Sequence, residues 1–204
     1  MFVLHAANDV DVPVQLGYEI KQYYKNISAS VNVYEMIGGN FGHSYPDDGG
    51  QTSQILNHLY GTALPNNGVE STSLFSFSMT DFCPNGNCAA AGMHGSAFFA
   101  GSDACLNGDI QCPVHVYLHG CGGSVAVPGN TVAEMSDIYS GLVVARDMIA
   151  VFPQTDTTGG ACWNVGWRWD NGQTGLENTP TGHLTYANPQ AVTIKAMIDA
   201  LTNN

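Results

Sequence analysis

Three short segments of this 204-residue chain carry residue types that acyl transfer requires. Asn8-Asp9-Val10-Asp11 offers a carboxylate able to orient an imidazole, and Gly42-His43-Ser44-Tyr45-Pro46 offers a histidine able to act as a base. His119-Gly120-Cys121-Gly122-Gly123 offers backbone amides in a glycine-rich turn, able to hold a developing oxyanion. Each has a plainer reading: Asp9 as a cap for the helix that follows, His43 as a loop histidine, and the glycines as a tight turn. Asp11 is a rival to Asp9 for either role. A metal held by His5, Asp9 and His43 is a further reading, but no metal-ligand spacing supports it, and neither metal nor cofactor is expected. Trp163, Trp167 and Trp169 either line an apolar cleft or pack in the core.

The elements that must position these residues alternate between strand and helix. Residues 2–6 are short and apolar and read as a buried strand, with 8–11 as the loop beyond it. Pro13 opens a helix of about a dozen residues, with Leu16, Ile20 and Tyr24 at helical spacing. Residues 31–37 alternate apolar and polar as a strand does, 38–43 form a loop, and 52–60 form a short helix carrying Ile55, Leu56 and Leu59. Glycine, serine, asparagine and two cysteine pairs dominate 61–112, which reads as hairpin-rich with strands at 73–78 and 96–100. A strand at 114–118 runs into His119. Thr131 to Glu134 fits a capping box for a helix to about 146, and Met148–Phe152 is a buried strand stopped by Pro153. Asn188-Pro189 starts a last helix with Val192, Ala196 and Met197 expected inward. Such alternation implies one α/β domain over 1–204, built on a mostly parallel sheet flanked by helices. Sites in such sheets form on loops at the carboxyl ends of strands, where all three segments lie.

Composition narrows the partners. Five basic residues stand against 17 acidic ones, a net charge of −12, which argues against nucleic acid and anionic membranes. No apolar run reaches the ~18 residues that span a bilayer. Six cysteines without a CxxC pair suggest disulfides rather than zinc. Cys83 and Cys88 flank Pro-Asn-Gly-Asn, and Cys105 and Cys112 flank a second short turn-rich loop, so each pair can close on itself. Cys121 and Cys162 remain. Three bridges imply an oxidising, extracellular setting, although the first residues, Met-Phe-Val-Leu-His, do not read as a signal peptide. Asn26-Ile27-Ser28 fits a glycosylation tripeptide.

The stretches Val-His-Val-Tyr-Leu-His-Gly-Cys-Gly-Gly-Ser at 114–124, Met148 to Gln154 and Ala161-Cys-Trp-Asn-Val-Gly-Trp167 resemble the polyhydroxybutyrate depolymerase-type esterases of the α/β-hydrolase superfamily. The order of segments is similar to that of the circularly permuted fungal depolymerases, with the Asp and His segments ahead of His-Gly-Cys. In those enzymes Ser-Asp-x-x-Val carries the catalytic Asp and His-Thr-Phe-Pro the catalytic His. Asn8-Asp9-Val-Asp-Val12 and His43-Ser-Tyr-Pro46 match them. The resemblance implies an ester or polyester substrate, with Asp9 and His43 as catalytic residues and the Cys121 N–H in the oxyanion hole. It also implies a Cys121–Cys162 bridge; Trp163 and Trp167, as cleft-lining aromatics, are the expected substrate-binding residues.

One part is missing from the pattern. The sequence holds no Gly-x-Ser-x-Gly, the elbow that presents a nucleophilic serine. Ser44, Ser96 and Ser124 are weak substitutes. The permuted family places that elbow, its strand and the following strand before the Asp segment, so the expected fold lacks the middle of its sheet. A gap of that kind exposes unpaired edges unless it closes by new pairing, by a second chain, or by sequence of a longer protein. A catalytically dead relative that binds polyester or polysaccharide through surface aromatics is the competing expectation.

Overall fold

Phe2–Ala6 (β1) and Tyr34–Gly39 (β2) pair in parallel, with Leu4 opposite Met36. Parallel neighbours need a crossover, and helix α1, Val14–Ile27, supplies it. The computed structural model describes residues 2–28, 34–43, 50–61, 74–130, 141–163 and 188–202. They fall into two units, residues 1–67 and 68–204.

In the first unit Pro13 occupies the N-cap of α1 rather than its first turn, and its carbonyl accepts the Leu16 amide. The helix approaches β1 through its buried residue Gly17, where the His5 imidazole takes the room a side chain would fill. Leu16, Ile20 and Tyr24 keep helical spacing but face outward, 42%, 46% and 39% exposed. Periodicity located this helix without telling which face is covered. Helix α2, Gly50–Tyr60, turns Thr52 and Leu56 inward, and Leu59 faces solvent. Burying Leu56 completely is worth about 2 kcal/mol.

The second unit has a four-stranded sheet of order β3-β4-β6-β5: Phe75–Ser78 (β3), Ser96–Gly101 (β4), Val114–Val116 (β5) and Ile149–Phe152 (β6). β5 and β6 run parallel, whereas β3–β4 and β4–β6 are antiparallel. The described part of this sheet is therefore mixed. β6 pairs on both sides, and its four residues are all buried, the pattern of a central strand. Within 61–112, β3 and β4 pair through stacked Phe75 and Phe99, 5.3 Å apart, with Phe77 edge-on to Phe99.

Three disulfides join Cys83 to Cys88, Cys105 to Cys112 and Cys121 to Cys162. The first two border the core, where Met79, Met93, Ala97, Val151 and Met197 surround the buried Cys83, Cys88 and Cys105. The Cys105–Cys112 bridge ties helix α3, Asp103–Leu106, to the entry of β5. Helix α4, Pro189–Thr202, starts where the Asn188 side chain accepts the amides of Gln190 and Ala191, a conventional N-cap. Its buried residues are Gln190, Thr193 and Met197, and Val192 is 37% exposed, contrary to the sequence expectation. Polar anchoring favours this face: Gln190 donates to the Gly92 carbonyl, while the buried Thr193 hydroxyl is satisfied within the helix by the Pro189 carbonyl. Residues 141–144 are helical, while the capping box at 131–134 lies outside the described residues.

Candidate active site

β1 ends at Ala6, and the loop after it carries Asn8 and Asp9 on the side where β2 releases Gly39 to His43. The Ala7 amide bonds to the Gly39 carbonyl, which keeps the two loop origins together. Asn8 then accepts the Gly42 amide at 2.9 Å, and Asp9 Oδ2 accepts from His43 Nδ1 at 3.0 Å. Gly42 has φ +64, a left-handed turn that glycine adopts without strain. Asp9 Oδ1 accepts the amides of Asp11 (2.9 Å) and Val12 (2.8 Å). Both carboxylate oxygens are therefore occupied, and the side chain is only 7% exposed. The Val12 amide above all, helped by His43 and the Asp11 amide, holds the Asp9 carboxyl below its ordinary range. The bond to Asp9 raises the basicity of His43.

This arrangement fixes the tautomer of His43. Nδ1–H donates to Asp9, so in the neutral ring Nε2 carries the lone pair, on a side chain 56% exposed. Such a ring can take a proton from a hydroxyl or a water and return it to a leaving group. Asp9, not Asp11, orients the ring. Asp9, Asp11 and His43 offer ligand atoms within 4.8 Å of one another, while His5 points its Nε2 at the Val12 carbonyl, 3.0 Å away.

In the second unit β5 leads to the turn 119–124, which is clamped to 154–163. The Cys121–Cys162 disulfide, Gly122 amide to Gly160 carbonyl (3.1 Å), Val125 amide to the Gln154 side chain (3.0 Å) and Ser124 hydroxyl to Thr155 carbonyl (2.5 Å) join them. The Asn130 side chain donates to the carbonyls of Gly122 and Ser124. The His119 ring donates from Nδ1 to the Gly120 carbonyl (2.7 Å) and accepts the Thr155 amide at Nε2 (3.3 Å). Both ring nitrogens are used by a neutral imidazole, and burial lowers its basicity. Cys121 is an exposed residue, and among the described residues no acceptor takes its amide. It is the kind of fixed donor that an oxyanion hole uses.

The remaining sequence candidates divide. Ser124 is buried and its hydroxyl is committed to Thr155, and Ser96 lies at the start of β4. Trp163 donates from its indole to the His119 carbonyl (2.8 Å) and lies 5.0 Å from that ring, so it braces the turn. Ser44, Trp167 and Trp169 lie outside the described residues. Sequence reasoning missed Asn8 as the holder of the base loop. Its adjacency to Asp9 was the available signal, because neighbouring side chains in one loop can reach neighbouring residues of another.

No family model matches the chain. A polyhydroxybutyrate depolymerase of Talaromyces funiculosus is 24% identical over 196 residues, 83% of this chain and 58% of that protein. The chain thus spans about 58% of the length of the curated relative it matches. The crystal structure of the PHB depolymerase from Penicillium funiculosum superposes with a TM-score of 0.70 at 20% identity, over 96% of this chain and 68% of that one. A serine-to-alanine PHB depolymerase complexed with an R3HB trimer gives 0.67 at 19% identity, over 98% and 68%. The chain has the α/β-hydrolase-like fold of these fungal polyhydroxybutyrate depolymerases and is similar to them in sequence.

Proposed function

We propose that this protein hydrolyses carboxylic ester bonds, with a polyester of the 3-hydroxybutyrate type as substrate. The observation that carries the reading is the Asp9–His43 pair, in which every hydrogen bond favours an ionised acid and an outward, lone-pair-bearing Nε2. His43 removes the proton from an attacking oxygen. The imidazolium returns its proton to the departing alkoxide as the acyl C–O bond breaks, and the family resemblance gives the oxyanion-hole role to the Cys121 amide. These 204 residues hold no Gly-x-Ser-x-Gly, so the attacking oxygen belongs to a serine from outside them, on a second chain or a longer protein, or to water. A permuted order of segments, with Asp9 and His43 ahead of the oxyanion turn, belongs to the same reading. Trp163 and Trp167 serve it as apolar walls for the polymer chain. The depolymerase likeness and the solved complex with an R3HB trimer support the substrate class. Three disulfides fit an extracellular place of action.

The test is release of 3-hydroxybutyrate from its oligomers by the purified chain and by His43→Ala. Release lost in His43→Ala supports the reading. Oligomer binding without release, equal in both proteins, instead supports a binding-only relative.

A further inference from the structure

His5 has no part in the proton transfers just described, yet it lies beside the Asp9 carboxylate. Its Nε2 lies 3.0 Å from the Val12 carbonyl and 3.6 Å from Asp9 Oδ2. Both are acceptors, so Nε2 must carry the proton in the neutral ring; a bare Nε2 would face two oxygens with its lone pair. The other edge of the ring lies over the backbone of Gly17, where a Cβ would come within 3.1 Å of His5 Cβ and Nδ1. The imidazole is thus wedged between helix α1 and the Asp9 loop. Val12 is held from both sides, its carbonyl by His5 and its amide by Asp9 Oδ1.

We propose that His5 is a positioning residue for the Asp9–His43 pair. By anchoring the Val12 carbonyl it keeps the Val12 amide aimed at Asp9 Oδ1, which leaves Oδ2 for His43. The His5 ring edge also lies 3.6 Å from Oδ2, which limits the room the carboxylate has to rotate. The effect on His43 is indirect: a loosened Asp9 orients the ring poorly and stabilises its protonated form less. Among the described residues, Asp9 and Asp11 are the charged groups acting on His43, and neither is removed by changing His5. Gly17 is required for the arrangement, because a methyl group there would push the ring off the Val12 carbonyl or the helix off the strand.

The inference rests on the proposed esterase reading, but its test needs no turnover. In the unaltered protein, imidazole nitrogen shifts should show His5 protonated at Nε2 and bare at Nδ1; the opposite tautomer overturns the proposal. In His5→Phe the His43 titration midpoint should fall, while His5→Gln, whose amide can still donate to the Val12 carbonyl, should keep it high. Identical His43 titrations in His5→Phe and the unaltered protein also overturn it. On an ester substrate kcat should fall about tenfold in His5→Phe with KM unchanged, the size of one lost hydrogen bond, and recover in His5→Gln. A coupled titration in a chain that neither cleaves nor binds 3-hydroxybutyrate oligomers would count against the esterase reading and leave this one standing. Ester cleavage indifferent to His5→Phe would do the reverse.

Discussion

Asn8 accepts the Gly42 amide at 2.9 Å, one residue away from each partner of the Asp9–His43 pair. Two successive residues of one loop thus hold two successive residues of the other, 34 positions along the chain. One contact fixes backbone and the other fixes a ring. The His43 loop therefore cannot drift without breaking a bond that does no chemistry.

Replacing Asn8 by alanine should loosen that loop. The lost bond is partly solvated, so the expected destabilisation is about 1 kcal/mol, read as a lower urea midpoint with unchanged slope. The His43 ring should also become more mobile in NMR relaxation. Unaltered midpoint and relaxation would show that Asn8 does not hold the loop.

The Cys121–Cys162 bridge closes a loop between residues 41 apart, which the chain-entropy account values at about 4 kcal/mol. Ala161, just before Cys162, has φ +55, a left-handed conformation that costs a non-glycine residue about 1 kcal/mol. The bridge and the Gly122–Gly160 bond hold this segment in place. The paired change Cys121→Ala, Cys162→Ala should lower the denaturation midpoint well beyond the effect of Asn8→Ala. A loss under ~1 kcal/mol would mean that the turn is held by its hydrogen bonds alone.

Acid should weaken the fold through histidines it keeps neutral. Burial pushes the His115 imidazole down to about 4 from the ordinary 6.5, and burial lowers His119 in the same direction. A base depressed in the folded state binds protons first in the unfolded chain. Stability is thus intact above pH 6.5 and is lost as pH falls from 6.5 toward about 4. The His115 share is about 3 kcal/mol at the low end of that window. Thermal melts should fall across it, and His115→Gln should flatten the decline. An equal decline in the variant would place the acid sensitivity elsewhere.

Much of this was legible in the sequence, for identifiable reasons. The strands at 2–6 and 148–152, the helix after Pro13 and the helix after Asn188 follow from apolar runs, proline and capping residues, all local signals. The pairing of Asp9 with His43 was legible from motif resemblance, since nothing local in either loop announces the other. What faces where was less legible. Leu16, Ile20 and Tyr24 keep a perfect helical stripe that points outward, because a glycine against a histidine ring sets the packing of α1. Val192 gave way to Gln190 for a similar reason: its hydrogen bond to the Gly92 carbonyl favours that face, and hydrophobicity alone does not report it. The antiparallel half of the second sheet depends on long-range pairing of β4 with β6, which composition does not encode.

The most direct test of the account is the pH dependence of p-nitrophenyl butyrate hydrolysis by the chain, by His43→Ala and by Asp9→Asn. The base must be neutral to act, and its bond to Asp9 raises its affinity for protons. The rate should therefore climb with pH through a midpoint above the ordinary histidine value of 6.5. It should drop by about 10²–10⁴ in His43→Ala, and in Asp9→Asn its midpoint should move to lower pH. Hydrolysis that persists at the same rate and the same pH dependence in His43→Ala would contradict the account.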